Sequence, residues 1–195
     1  MPCPYSQNAH LIRGEESVIK DFWKYFADGS AEPRLICSEH LFEITQPPAI
    51  ESEVADLRLA TVNDLEQVLA VNALMAFEEG GSSPLQRDPT GFRARTLRRI
   101  ERDRVWIWIQ DSRLIFKADI VSATPEVTYV EGVYVHPEER RKGHGLRCVN
   151  QLTANLLGQS RSICLTVNDR NKGAIALYTK AGYQHHSHYE TIYLR

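Results

Sequence analysis

The chain has 195 residues and a mass of 22.2 kDa, a length that suggests one domain with an appendage. Its 43% hydrophobic and 25% charged residues exclude wholesale disorder. Twenty-three Lys and Arg against 25 Asp and Glu leave a net charge of −2, which argues against a general nucleic-acid binder. The longest apolar runs, such as residues 105–109, are too short to cross a bilayer. The first residues carry no apolar signal segment. Cys3, Cys37, Cys148 and Cys164 form no C-x-x-C pair. The expectation is a soluble, cytoplasmic protein with free thiols and no membrane or nucleic-acid partner.

Gln46-Pro47-Pro48 breaks the composition, so residues 1–50 read as an N-terminal extension and 56–195 as the main domain. The extension holds a predicted helix over 15–27, with Val18, Phe22 and Tyr25 as its apolar stripe, and a strand over 34–45. So short a piece should pack on the main domain or on a partner chain, and a homodimer is compatible with it. In the main domain a short strand at 57–60 precedes a helix that Asn63 and Glu66 open as a capping box. That helix runs to about residue 77, and residues 78–84 read as a loop. A helix at 93–102 comes next. Strands follow at 105–109, 114–122 and 127–135, the first two joined through Asp111-Ser112. A helix starts after Gly143 and Gly145 and ends near Gly158. Strand 162–167, helix 172–181 and strand 187–194 close the chain. This order predicts an α/β fold: a mixed sheet with helices on both faces.

The strongest chemical signal is the run Val133-Tyr-Val-His-Pro-Glu-Glu-Arg-Arg-Lys-Gly-His-Gly-Leu146. A strand ends, and a basic loop with two glycines opens a helix. A helix start offers free N–H groups and the positive end of a dipole, which suit phosphate. Arg140, Arg141 and Lys142 add charge. The plainer reading is a solvated basic turn. The loop is neither a Walker loop nor a G-x-G-x-x-G site.

Arg140-x-x-Gly143-x-Gly145 after a strand resembles motif A of the GNAT superfamily of acetyl-CoA-dependent N-acetyltransferases. The run from Asn171 through Ala174, Leu177, Tyr178, Lys180 and Gly182 to Tyr183 resembles that superfamily's second signature. The resemblance covers about residues 56–195. It implies a mostly antiparallel sheet with a splayed central strand pair, 127–135 against 162–167. It also implies acetyl-CoA as co-substrate. The pantetheine arm would bond to the backbone of Val133 and Val135. The pyrophosphate would sit on amides of Arg141, Lys142, Gly143, His144, Gly145 and Leu146. Asn168 and Asn171 would lie by the cofactor too. Tyr178 matches the position of a general acid for the leaving thiolate; the alternative is a buried aromatic on the core stripe. Glu131 is the candidate general base or ammonium binder, sharing a strand side with Val133; the alternative is a solvent-facing strand residue. Glu78 and Glu79 would add negative charge for a cationic amine, unless they are plain surface acids.

The resemblance implies a transferase acting on a small-molecule or peptide primary amine, and because no Cys lies in either motif the expected route is direct attack rather than an acyl-enzyme. The alternative is a CoA-binding regulatory or scaffold module. His185, His186 and His188 are not expected to hold a metal, because adjacent strand residues face opposite ways and no fourth ligand is evident. The Arg run from Arg93 to Arg104 reads as a solvated helix face.

Overall fold

In the computed structural model, residues 11–26, 32–81 and 83–194 are described. Cys3 and the predicted helix end at residue 27 lie outside them. The elements in order are β1 (Leu11–Glu15), α1 (Glu16–Phe26), β2 (Leu35–Ile44), β3 (Arg58–Leu59), α2 (Leu65–Gly80), α3 (Pro84–Arg87), α4 (Pro89–Glu101), β4 (Val105–Gln110), β5 (Arg113–Ala123), β6 (Val127–Val135), α5 (His144–Leu157), β7 (Ser162–Asn168), α6 (Lys172–Lys180) and β8 (Gln184–Tyr193). This is the mixed α/β class expected. The chain divides into two compact units, residues 44–164 and residues 1–43 with 165–195.

In the 44–164 unit the strand order is β7-β6-β5-β4-β3, antiparallel except for the β6–β7 pair. The β6–β7 ladder spans only Val127–Tyr129 against Ser162–Cys164 and stops there. The hairpin between β4 and β5 turns at Asp111 and Ser112, both left-handed at φ 49° and 62°, the type I′ geometry that matches strand twist. β5 is buried continuously from Leu114 to Ile120. Val68, Val105, Ile107, Leu114 and Tyr134 form the centre of one core cluster. Each such side chain contributes roughly 1.5–3 kcal/mol on full burial. α5 turns Cys148, Val149, Leu152, Thr153 and Leu156 inward, and burial pushes the Cys148 thiol up to about 12.

The other unit has the strand order β1-β8-β2-β7, with β1 and β2 antiparallel on either side of β8. The expected stripe of α1 is off by one position. Val18, Phe22 and Tyr25 are exposed, whereas Ile19 is buried and Trp23 and Phe26 are half-buried. Both sets repeat at four and three residues, so spacing cannot choose between them. Gly14 decides it, because Ile19 Cδ1 lies 3.1 Å from where a Cβ there would stand.

The start of α2 also differs from expectation. The capping residues are Thr61 and Asp64, not Asn63 and Glu66, and a 3-10 turn (Val62–Asp64) precedes the helix. The helix also extends through residue 80, absorbing part of the expected loop. Asp64, 7% exposed, accepts from Thr61 N at 2.7 Å and Thr61 Oγ1 at 2.8 Å, and from Arg58 Nη1 and Nη2 at 2.8 and 2.9 Å. The Arg58 guanidinium above all, with Thr61, holds this carboxyl at about 2. An unfolded aspartate titrates near 3.9, so the bound carboxylate adds roughly 2 kcal/mol at neutral pH. Because the folded value is depressed, that stability is present above the unfolded value and lost as pH falls through about 2. Asp64→Asn should therefore lower stability by about 2 kcal/mol at pH 7 and flatten the acid limb below about pH 4. Denaturant melts across pH check this; equal melts for the two proteins would refute it.

Candidate active site

The central feature of the 44–164 unit is an ion pair inside the sheet. Lys117 and Asp119, on β5, have side chains 1% and 5% exposed, with Nζ and Oδ2 2.7 Å apart. Lys117 also donates to the Gly132 carbonyl at 3.1 Å, and Arg99 Nη1 reaches Asp119 Oδ2 at 3.1 Å. Asp119 Oδ1 is buried without a hydrogen-bond partner. Burial holds the Lys117 ammonium below the ordinary lysine range, against the attraction of Asp119.

Above this pair β6 bulges. Asp119 pairs with Glu131, yet Lys117 pairs with Tyr134, so β6 spends one extra residue over this stretch. Gly132 makes it possible, at φ +61°. A Cβ there would stand 2.9 Å from Lys117 Nζ and 3.0 Å from Asp119 Oδ2. The bulge corrects one sequence reading. Strict alternation put Glu131 on the Val133 side; the register instead sets Glu131 opposite Asp119 and Tyr134 opposite Lys117. Glu131 is exposed, Val133 and Val135 are half-buried, and Tyr134 is buried. Burial raises the Tyr134 phenol, Arg140 lowers it and Glu78 raises it, so both charged groups lie within its field. Glu78 and Glu79 are exposed at the end of α2.

β6 runs through a 3-10 turn (Pro137–Glu139) into the basic loop. Arg141, at φ 63°, and Gly143, at φ 84°, are both left-handed, so the loop doubles back before α5 begins at His144. Nothing lies within 4 Å of a Cβ built at Gly143, so its backbone angle, not crowding, calls for glycine. The loop's cations have different surroundings. Arg140 Nε folds back onto the Val135 carbonyl at 3.1 Å. Lys142 Nζ pairs with Glu139 at 3.0 Å, and His144 Nε2 lies 3.5 Å from the same carboxylate. His144 also meets Trp108 edge-on at 5.0 Å. Arg141 and Lys142 are exposed, and Gly145 and Leu146 are half-buried in the first turn of α5. A helix start with exposed cations beside it fits an anionic group.

In the other unit, Asn171 Oδ1 caps α6 by accepting from Ala174 N at 3.0 Å, and Asn168 Oδ1 accepts from Arg170 N at 2.9 Å. Both asparagines thus have local structural work. Tyr178 is 5% exposed, its ring 6.4 Å from Phe42 and 5.6 Å from Tyr183. Burial pushes its phenol well above the ordinary tyrosine range. Of the arginine run, Arg93, Arg95 and Arg99 pair with Glu66, Asp88 and Asp119.

Residues 118–192 match the family model described as FR47-like protein. No curated protein matches the chain. Among solved structures, a GNAT-family acetyltransferase from Colwellia psychrerythraea superposes with a TM-score of 0.68 at 13% identity, covering 95% of this chain and 64% of that one. A GCN5-related N-acetyltransferase from Sphaerobacter thermophilus gives 0.64 at 16% identity, covering 93% and 57%. A predicted acetyltransferase from Clostridium acetobutylicum, solved with acetyl-CoA, gives 0.53 at 17% identity, covering 67% and 90%. The chain therefore spans less than two thirds of the first two of these proteins.

Sequence reading missed Asp119 and Gly132, because a buried charge pair is invisible until the register is known. Asp119→Asn should strand the Lys117 ammonium and cost about 3–5 kcal/mol at neutral pH. A lysine with a folded value below its unfolded value gains stability as pH rises toward about 10.4. The deficit should therefore shrink at alkaline pH, read from denaturant midpoints. A deficit that stays constant with pH would mean Lys117 carries no buried charge.

Proposed function

We propose that this chain, which has the fold of the GNAT-family acetyltransferases, transfers an acetyl group from acetyl-CoA to a primary amine by direct attack in a ternary complex. The observation that carries the reading is β6: a strand bulged at Gly132 that feeds directly into the basic, doubly left-handed loop at the start of α5. The loop amides from Arg141 to Leu146, with the exposed Arg141 and Lys142, suit the pyrophosphate of acetyl-CoA. Arg140 serves the loop inwardly, through its bond to Val135. A backbone N–H near Val133 would meet the negative charge developing on the thioester oxygen.

An ammonium has no lone pair, so the acceptor must lose a proton before attack. Glu131, exposed on β6, is the group proposed to bind the ammonium or to receive that proton, directly or through water. Glu78 and Glu79 favour a cationic acceptor. Tyr178 is retained as proton donor to the departing thiolate. Its raised phenol stays protonated but is a weak acid, so its contribution is set low. The ring contacts of Tyr178 favour a second reading, a CoA-binding module without turnover.

The deciding measurement is release of free CoA from acetyl-CoA with a panel of primary amines, beside calorimetric binding of acetyl-CoA. Amine-dependent release supports the transferase. Binding without release for any amine favours the module, and no binding overturns both. Glu131→Gln should depress turnover mainly below the acceptor's pKa, where deprotonation limits the rate; superimposable pH–rate profiles would make Glu131 a bystander.

Tyr178→Phe removes only the hydroxyl. General acids contribute about 10²–10⁴-fold, and a thiol of pKa near 8.5 leaves tolerably without help. The expected loss in kcat is roughly 10-fold to 100-fold at unchanged acetyl-CoA affinity, after a melting curve shows the variant folded. A loss below about two-fold would leave the ring as packing.

A further inference from the structure

We propose that His40, His185 and His188 form a binding site for one divalent transition-metal ion of borderline softness, zinc above others, joining β2 to β8. The sequence alone argued against such a site, since neighbouring strand residues alternate. Two structural facts change that. β8 pairs with β2, which brings in His40, a residue distant from the histidine run in sequence. The ladder also slips: Leu41 pairs with Ser187 but Phe42 pairs with His185, so His186 is an extra, bulged residue. The bulge cancels the alternation and sets His185 and His188 on one face, with His40 opposite His188. His186 is diverted, its Nε2 4.0 Å from Glu43.

The three rings have centroids 4.6, 4.9 and 5.1 Å apart. One nitrogen from each lies within 4.8 Å of the other two. Zinc bonded to imidazole nitrogen at about 2.0–2.1 Å in tetrahedral geometry needs nitrogens about 3.4 Å apart. Side-chain rotation at the three histidines is what binding would require to close that difference. Among the described residues no fourth His, Cys, Asp or Glu joins the group, so water would complete the tetrahedron. Phe42, 4% exposed, floors the cluster, its ring 6.2 Å from His40 and 6.0 Å from His185. The surroundings suit a cation. Glu43 stands beside His186, and Glu16 at the start of α1, paired with Lys20, also lies within the field of His188. Imidazole donors suit zinc, copper and nickel rather than magnesium or calcium.

The probe is Co²⁺, whose visible absorption reports tetrahedral coordination, with Zn²⁺ displacing it. Titration of the full chain should give one ion per chain and an absorption band that zinc abolishes. His40→Gln and His188→Gln, each checked for folding by a thermal melt, should weaken binding by at least about 10-fold, the loss typical even for residues that only support a ligand. His186→Gln should bind as tightly as the parent. Absent tetrahedral absorption, a stoichiometry other than one, or equal weakening by His186→Gln would each overturn the site.

Discussion

A lysine and an aspartate held inside a sheet set the geometry of the 44–164 unit. Neither charge can leave the interior once β5 is covered on both faces, so each must be satisfied where it stands. Asp119 pairs with Lys117, Arg99 adds to Asp119, and the Gly132 carbonyl accepts a further hydrogen bond from Lys117. That last bond needs the β6 backbone to come close, and only a residue without a Cβ allows it. The bulge is therefore tied to the ion pair. Once β6 has spent an extra residue there, Glu131, Val133 and Tyr134 take the facings they have, and the strand enters the basic loop in that register.

The same coupling holds the basic loop in a fixed relation to the strand that feeds it. Arg140 ties the loop back to the last residue of β6, so the end of the strand and the start of α5 are linked by a side-chain bond as well as by the chain. Glu139 gathers Lys142 and His144 around one carboxylate. Arg141, left-handed and exposed, is displayed outward. A basic sequence thus resolves into cations with distinct tasks, some fixing the loop and others free to face an anion.

How much of this could be read from sequence depends on the range of the interaction. The loop and helix start at residues 140–146 were legible because glycine, charge and helix periodicity act over a few residues. So was the hairpin at Asp111 and Ser112. The β6 facing was not, since the bulge is enforced by Lys117 and Asp119 on a neighbouring strand, some fifteen residues away in sequence. The buried stripe of α1 was misread for a similar reason: two stripes with the same spacing compete, and Gly14 on β1 selects between them. The opening of α2 was misassigned because Asp64 is claimed by Arg58, which no capping pattern includes.

Bulges also show why period-two reasoning fails where it matters most. In β6 an extra residue sets Glu131 opposite Asp119; in β8 an extra residue sets His185 and His188 together. In both strands a side chain that alternation would send to one face is delivered to the other. The compensation differs. In β6 the bulged position is a glycine, which takes the left-handed backbone freely and leaves room for the buried charge pair beside it. In β8 the bulged residue is a histidine turned toward Glu43, and the three rings it leaves together are mutually repulsive when protonated. A face that gathers three imidazoles over a buried phenylalanine brings three ring nitrogens together, and imidazole nitrogens in such a cluster suit a metal ion of borderline softness.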